Sequence, residues 1–184
     1  MTRPANLTIF QENFNLNLQE LRKITNNARI WACVKAGGYG HGIDSTIRGF
    51  DDADGLALLE LEEAYEARHL GWKKPLLLLE GVFHQSELDE VISLGLEIVI
   101  HSHEQLDWCL DYNGRFTSIW IKINSGMNRL GFSLNEIENN NGISLQNKIK
   151  KLREKILSKN GLRWLTHFSS GEISIKCKNQ EKKF

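Results

Sequence analysis

Short apolar runs alternate with helical stretches about every twenty residues in the first part of the chain, and this constrains the fold more than any other feature. Residues 29–33, 56–59, 75–79, 96–100, 117–123 and 162–166 read as strands. Between them lie helical segments. Phe14, Leu18, Leu21 and Ile24 put one apolar stripe on a helix over residues 10–25. Residues 45–50 predict a short helix. Residues 60–70 are strong in Ala, Leu and Glu and stop at Gly71, and 86–94 stop at Gly95. Ser102 is placed to cap the next helix. Such alternation implies a parallel sheet with helices outside it, and right-handed crossovers of this kind, continued, close into a β/α barrel.

A complete barrel takes ~250 residues, and this chain has 184. About six of the eight strand–helix units can be recognised. The predicted fold class is therefore α/β: an incomplete (β/α)8 TIM-type barrel over residues 1–168, with a divergent, polar, lysine-rich tail over 169–184. The chain is expected to be truncated. An unclosed barrel presents strand edges that seek another chain. It is also expected to leave the apolar faces of residues 96–100 and 162–166 partly uncovered, so that the chain tends to associate.

Composition narrows the function classes. A formal net charge of zero gives no electrostatic case for nucleic acid or an anionic membrane. The lysine-rich region 148–159 also holds Glu154 and reads as a solvated helix face. No apolar run approaches the ~20 residues of a membrane helix, and the N-terminus has no signal-peptide pattern. Cys33, Cys109 and Cys177 are widely spaced and odd in number, which suits a reduced cytoplasm. His69, His84, His101 and His103 show no ligand spacing with a third partner, so no metal is expected. Asn139, Asn140 and Asn141 read as a surface loop.

Two stretches carry chemistry. The first strand runs into Val34-Lys35-Ala36-Gly37-Gly38-Tyr39-Gly40-His41-Gly42. A lysine at the C-terminal end of a buried strand is expected to lose some of its preference for the charged form, which makes the amine a usable nucleophile. The glycines let the backbone approach a ligand and adopt positive φ. On position alone, most strand-end lysines are solvated and most glycine-rich loops are only turns. The second stretch, Lys122-Ile123-Asn124-Ser125-Gly126-Met127-Asn128-Arg129-Leu130-Gly131-Phe132, lies at the C-terminal end of the fifth strand, where such barrels build active sites. Arg129 can present a planar guanidinium there, or can simply be solvated.

Taken whole, both stretches resemble the alanine racemases. The first resembles the family's Val-Lys-Ala-x-x-Tyr-Gly-His-Gly, departing at Gly37-Gly38, where Asn or Asp and then Ala are usual. The second resembles its Gly-Met-x-Arg-Leu-Gly-Phe segment. Residues 76–81 are similar to the third strand, and Thr166-His167-Phe168 to a later barrel segment. The resemblance implies that Lys35 holds pyridoxal 5'-phosphate as a Schiff base and is the catalytic lysine. It implies cofactor contacts from Tyr39, Arg129 and His167, with Arg129 on the phenolic oxygen and near the substrate, and His167 against the ring. Lys122 matches a supporting lysine that some members carry as a carbamate to hold the arginine.

The activity that the resemblance implies is interconversion of L- and D-alanine for cell-wall precursor supply in the cytoplasm, impaired in this chain, with a homodimer expected for the complete family member. The family's last two barrel strands, its phosphate site, and the C-terminal β domain with a second acid/base tyrosine have no counterpart here by resemblance. Two alternatives stay open: another barrel enzyme on pyridoxal phosphate, and a non-catalytic remnant that binds the cofactor weakly.

Overall fold

The computed structural model describes Pro4 and residues 6–26, 28–138 and 142–167. Asn139 to Asn141, Phe168, Cys177 and the 169–184 tail lie outside the described residues. The chain divides into two compact units, Met1–Leu77 and Leu78–Phe184.

In the first unit, β1 (Trp31–Cys33) pairs in parallel with β2 (Gly55–Leu58), with Ala32 opposite Leu56. The ladder continues one residue further, because the Val34 amide donates to the Ala57 carbonyl at 2.9 Å. The helices Gln11–Ile24, Ile43–Gly49 and Leu61–His69 lie where the periodicity places them. The N-terminal helix corrects one expectation. Leu18 is buried, but Leu21 and Ile24 are exposed. The helix packs through Phe14 and Leu18: Phe14 lies against Gly49, where an added Cβ would meet its ring at 2.5 Å, and edge-on to Phe50 at 5.0 Å. The strand β3 (Leu76–Leu78) begins in this unit, which ends at Leu77.

In the second unit, β4 (Glu97–Ile100), β5 (Ser118–Asn124) and β7 (Leu162–Thr166) form a parallel sheet with β5 between its neighbours. A two-residue strand, β6 (Phe132–Ser133), pairs in parallel with the top of β5. Ile123 pairs with Phe132 as well as Thr166, so β6 lies on the side of β5 opposite β7. The helices are Leu88–Ser93, preceded by a 3-10 turn, then His103–Asp111, Leu134–Glu138 and Gly142–Leu152. The Ser102 hydroxyl accepts the Gln105 amide at 3.2 Å, as its capping position predicts.

Burial in this unit corrects a second expectation: β4 is buried along its whole length, whereas Trp164 on β7 is 49% exposed. The core takes Ile98, Val99, Ile100, Leu106, Phe116, Ile119, Ile121 and Leu152. Burial pushes the Cys109 thiol up to about 12, which leaves it inert at neutral pH. No helix among the described residues is long and apolar enough to cross a membrane.

Candidate active site

In the first unit, Lys35 follows directly on β1, and the backbone turns the wrong way after it. Ala36, Gly37, Gly38 and Tyr39 all have positive φ, at 54°, 59°, 65° and 55°. This is one left-handed turn, closed by bonds from Gly38 N to the Val34 carbonyl and from Gly42 N to the Gly37 carbonyl. L-residues avoid this region at roughly 1–2 kcal/mol each, so Ala36 and Tyr39 are held there by their surroundings. Gly37 and Gly38 adopt it without that cost. The two positions where the sequence departs from the family pattern are thus both left-handed.

Gly38 is required for a second reason. An added Cβ would lie 2.4 Å from Thr46 Cγ2. Thr46 is buried and held by bonds from its hydroxyl to the Gly42 and Ile43 carbonyls. Gly38→Ala is therefore expected to destabilise the chain by about 2–4 kcal/mol, from overpacking together with the left-handed cost. Gly37→Asn should stay within about 0.5 kcal/mol, because its Cβ direction is open and Asn tolerates this backbone. Thermal unfolding of both variants checks the difference, and Thr46→Ser, which removes the nearest methyl, should recover part of the Gly38→Ala loss.

The turn brings three reactive side chains together. Lys35 Nζ lies 5.9 Å from the Tyr39 ring centroid, and Tyr39 OH lies 3.6 Å from Cys33 Sγ. That contact, with some burial, raises the Tyr39 phenol above its usual range. Lys35 is half-buried, and Cys33 two residues before it is exposed, so the strand is not buried on both faces as its apolar run suggested.

In the second unit, Lys122, Arg129 and His167 line one water-sized cavity of about 10 Å³, together with Ser125 and Met127. Lys122 is buried near the end of β5, while Arg129 and His167 are exposed. Asn124 shapes the loop between them. Its side-chain oxygen accepts from Gly126 N and Asn128 N at 3.1 and 3.0 Å. Ser125 latches the loop to β7 through Thr166 Oγ1 at 2.5 Å. His167 Nδ1 meets Met127 Sδ. At Gly131 an added Cβ would lie 2.8 Å from the Lys122 carbonyl, so only glycine lets the chain return this close to β5.

His101 follows Ile100, which pairs with Ile121, and so stands beside Lys122 on the neighbouring strand. Burial and then the Lys122 charge push its imidazole below the usual histidine range. The bond of Ser125 was not legible in its stretch because Thr166 lies 41 residues away, and His101, taken in the sequence only as a histidine without ligand spacing, comes beside Lys122 through strand pairing. No group of three His, Cys, Asp or Glu among the described residues could hold a metal.

The family profile described as "Alanine racemase, N-terminal domain" matches residues 9–180. Over 134 residues the chain is 45% identical to the alanine racemase of Acidovorax sp. (strain JS42), and 44% identical to that of Acinetobacter baumannii (strain SDF). These matches cover 72% of this chain and 37% and 36% of the relatives. The solved structure of alanine racemase from Acinetobacter baumannii superposes with a TM-score of 0.80 at 30% identity, over 95% of this chain and 50% of that one. The alanine racemase from E. faecalis gives 0.79 at 26% identity, over 98% and 49%. The chain thus spans about a third of the length of these curated relatives and about half of the solved structures. Among the described residues the strand–helix order is the α/β, TIM-type barrel order of those enzymes. With the lysine-bearing turn and the arginine loop both in their expected strand-end positions, the match over residues 9–180 shows that the chain belongs to the alanine racemase family.

Proposed function

We propose that this chain carries the cofactor lysine of a pyridoxal-phosphate-dependent alanine racemase, with Lys35 as that lysine. The observation that carries the reading is the Lys35 amine at the end of β1, half-buried and followed by a left-handed turn that sets Tyr39 beside it. A primary amine in that place suits an aldehyde, and the Tyr39 hydroxyl adds a donor for an anionic oxygen. In the second unit, a planar guanidinium at a strand end suits a phenolic oxygen, which is the part assigned to Arg129. His167 offers a flat face to a ring, and Lys122, buried below Arg129's loop, is the supporting amine that some relatives carry as a carbamate.

Pyridoxal phosphate, when bound, supplies an electron sink for the Cα carbanion of the amino acid. Lys35 Nζ would take or return the Cα proton on one face. Inversion requires a second acid/base on the opposite face, since one group returning the proton where it was taken restores the starting enantiomer. In the family that group is a tyrosine of the C-terminal domain. The same reading makes alanine the substrate, a homodimer the working assembly and the cytoplasm the compartment.

Incubation with pyridoxal phosphate, borohydride reduction and peptide mapping test the reading. The label is expected on Lys35, and a label confined to other lysines refutes it. Arg129 gives a separate test. Arg129→Ala should weaken cofactor binding by about 1.5–3 kcal/mol, the range of a hydrogen bond to a charged group. Arg129→Lys should recover little of it, because a point charge does not replace a planar fork. Titration of the three proteins with cofactor measures both, and equal affinities would return Arg129 to the solvent.

A further inference from the structure

We infer that Glu63 is a positioning residue for Lys35: its carboxylate holds the left-handed turn that follows the lysine and ties it to the end of β2. The inference rests on the reading of Lys35 as the cofactor lysine. Glu63 is the third residue of the helix Leu61–His69 and takes part in a capping box with Glu60. Such a glutamate ordinarily reaches back to the amide at the helix start. Here one oxygen does all of that: Oε2 accepts from Leu59 N at 3.0 Å and from Glu60 N at 3.3 Å. The other oxygen is left for a different task, and Oε1 accepts from Gly37 N at 2.9 Å, 26 residues away in the chain.

That amide is the one the turn most needs held. The turn's internal bonds run from Gly38, Gly40, His41 and Gly42, whereas Gly37 N–H points to Glu63. Around it, Ala36 and Tyr39 sit in backbone conformations that L-residues avoid. A second brace comes from the other side, where His41 Nδ1 lies 2.8 Å from the Gly38 carbonyl and the His41 ring stands edge-on to Phe14. A carboxylate accepting backbone N–H groups makes charge-assisted bonds, about twice as strong as neutral ones. Capping does not require the Gly37 bond. Direction of the Lys35 side chain does, because the turn begins one residue after it.

The test compares the full chain with Glu63→Gln, whose amide can accept on one side only and turns an NH2 toward a donor on the other. Two readouts are taken. One is hydrogen exchange at Gly37, with Leu59 and Glu60 reporting the cap. The other is the share of borohydride-fixed pyridoxal phosphate that falls on Lys35, with the remaining lysines of the same molecule as internal reference. Glu63→Gln is expected to speed exchange at Gly37 at least about tenfold and to lower the Lys35 share by about tenfold. Exchange at Gly37 and a Lys35 share as in the parent, both in Glu63→Gln and in Glu63→Ala, which removes both acceptor oxygens, would make Glu63 only a cap and overturn the inference. If Glu63→Gln fails to fold by circular dichroism, Glu63→Asp, which keeps the charge but shortens the reach to Gly37, gives the same comparison. If the parent itself takes no label on Lys35, the cofactor reading fails, and exchange at Gly37 alone still decides whether Glu63 holds the turn.

Discussion

On the proposed function, Lys35→Ala is expected to reduce site-specific capture of pyridoxal phosphate to background and to lower whatever racemisation the parent chain supports by about 10²–10⁴-fold, the usual contribution of one general acid/base group. On that reading, alanine at this position removes both the amine that would bind the aldehyde and the base that would move the Cα proton. Lys35→Arg should be nearly as poor, because a guanidinium stays protonated and does not condense with an aldehyde as an amine does. Lys122→Ala serves as the contrast. Lys122 is buried, so its loss should leave the Lys35 label in place while disturbing the arginine loop above it. Peptide mapping after borohydride reduction, with a coupled assay for D-alanine, reads both effects. A Lys35→Ala chain labelled as fully as the parent would dispose of the cofactor assignment, whatever the assay showed.

The largest effect on stability is expected from Arg163→Ala, at about 3–5 kcal/mol, the cost of stranding a buried charge. Glu97 on β4 is a carboxylate in the core, its side chain 5% exposed. Three bonds compensate it: Arg163 Nη1 donates to both oxygens at 3.1 and 3.0 Å, and Trp120 Nε1 donates to Oε2 at 2.7 Å. The guanidinium also stacks over the Trp120 ring at 5.0 Å. The three residues come from β4, β5 and β7, so the cluster fastens the sheet of the second unit across its width. Removing Arg163 takes both guanidinium bonds from the buried Glu97 carboxylate. The unfolding midpoint should fall by roughly 6–20 °C, taking 2–4 °C per kcal/mol for a chain of this size. Adding Glu97→Gln to Arg163→Ala removes the stranded charge and should return a large part of the loss. A midpoint within a degree or two of the parent would show that solvent reaches Glu97.

The order of strands and helices was legible in the sequence because it depends on local patterns. β7 falls where the apolar run 162–166 predicts it, and β2, β4 and β5 fall within a residue or so of their runs. Ser102 capped its helix for the same reason, since its hydroxyl and the Gln105 amide are three residues apart. Lys35 and Arg129 could be singled out because their neighbours form uninterrupted motifs. The β6 strand could not, because two residues, Phe132 and Ser133, carry no periodicity.

Tertiary structure decided what depends on residues far apart in the chain. The sign of φ at Ala36 and Tyr39 cannot be read from glycines that permit either hand; bonds from residues such as Glu63, 26 positions on, accompany the left-handed choice. Periodicity gave Leu21 and Ile24 the same face as Leu18, yet they are exposed, and the last turn of that helix meets its neighbour through Arg22, which pairs with Asp54 at 3.2 Å. Lys35 is half-buried rather than buried because Cys33, on the same face of a short strand, is open to solvent. Glu97 reads in sequence as a polar interruption of an apolar strand. It becomes a buried and compensated charge only once Arg163, 66 residues later, is brought beside it by the pairing of β5 with β7. Local chemistry therefore determined which elements form and which side chains are reactive, and long-range hydrogen bonding and packing determined the backbone hand and burial with which they are presented.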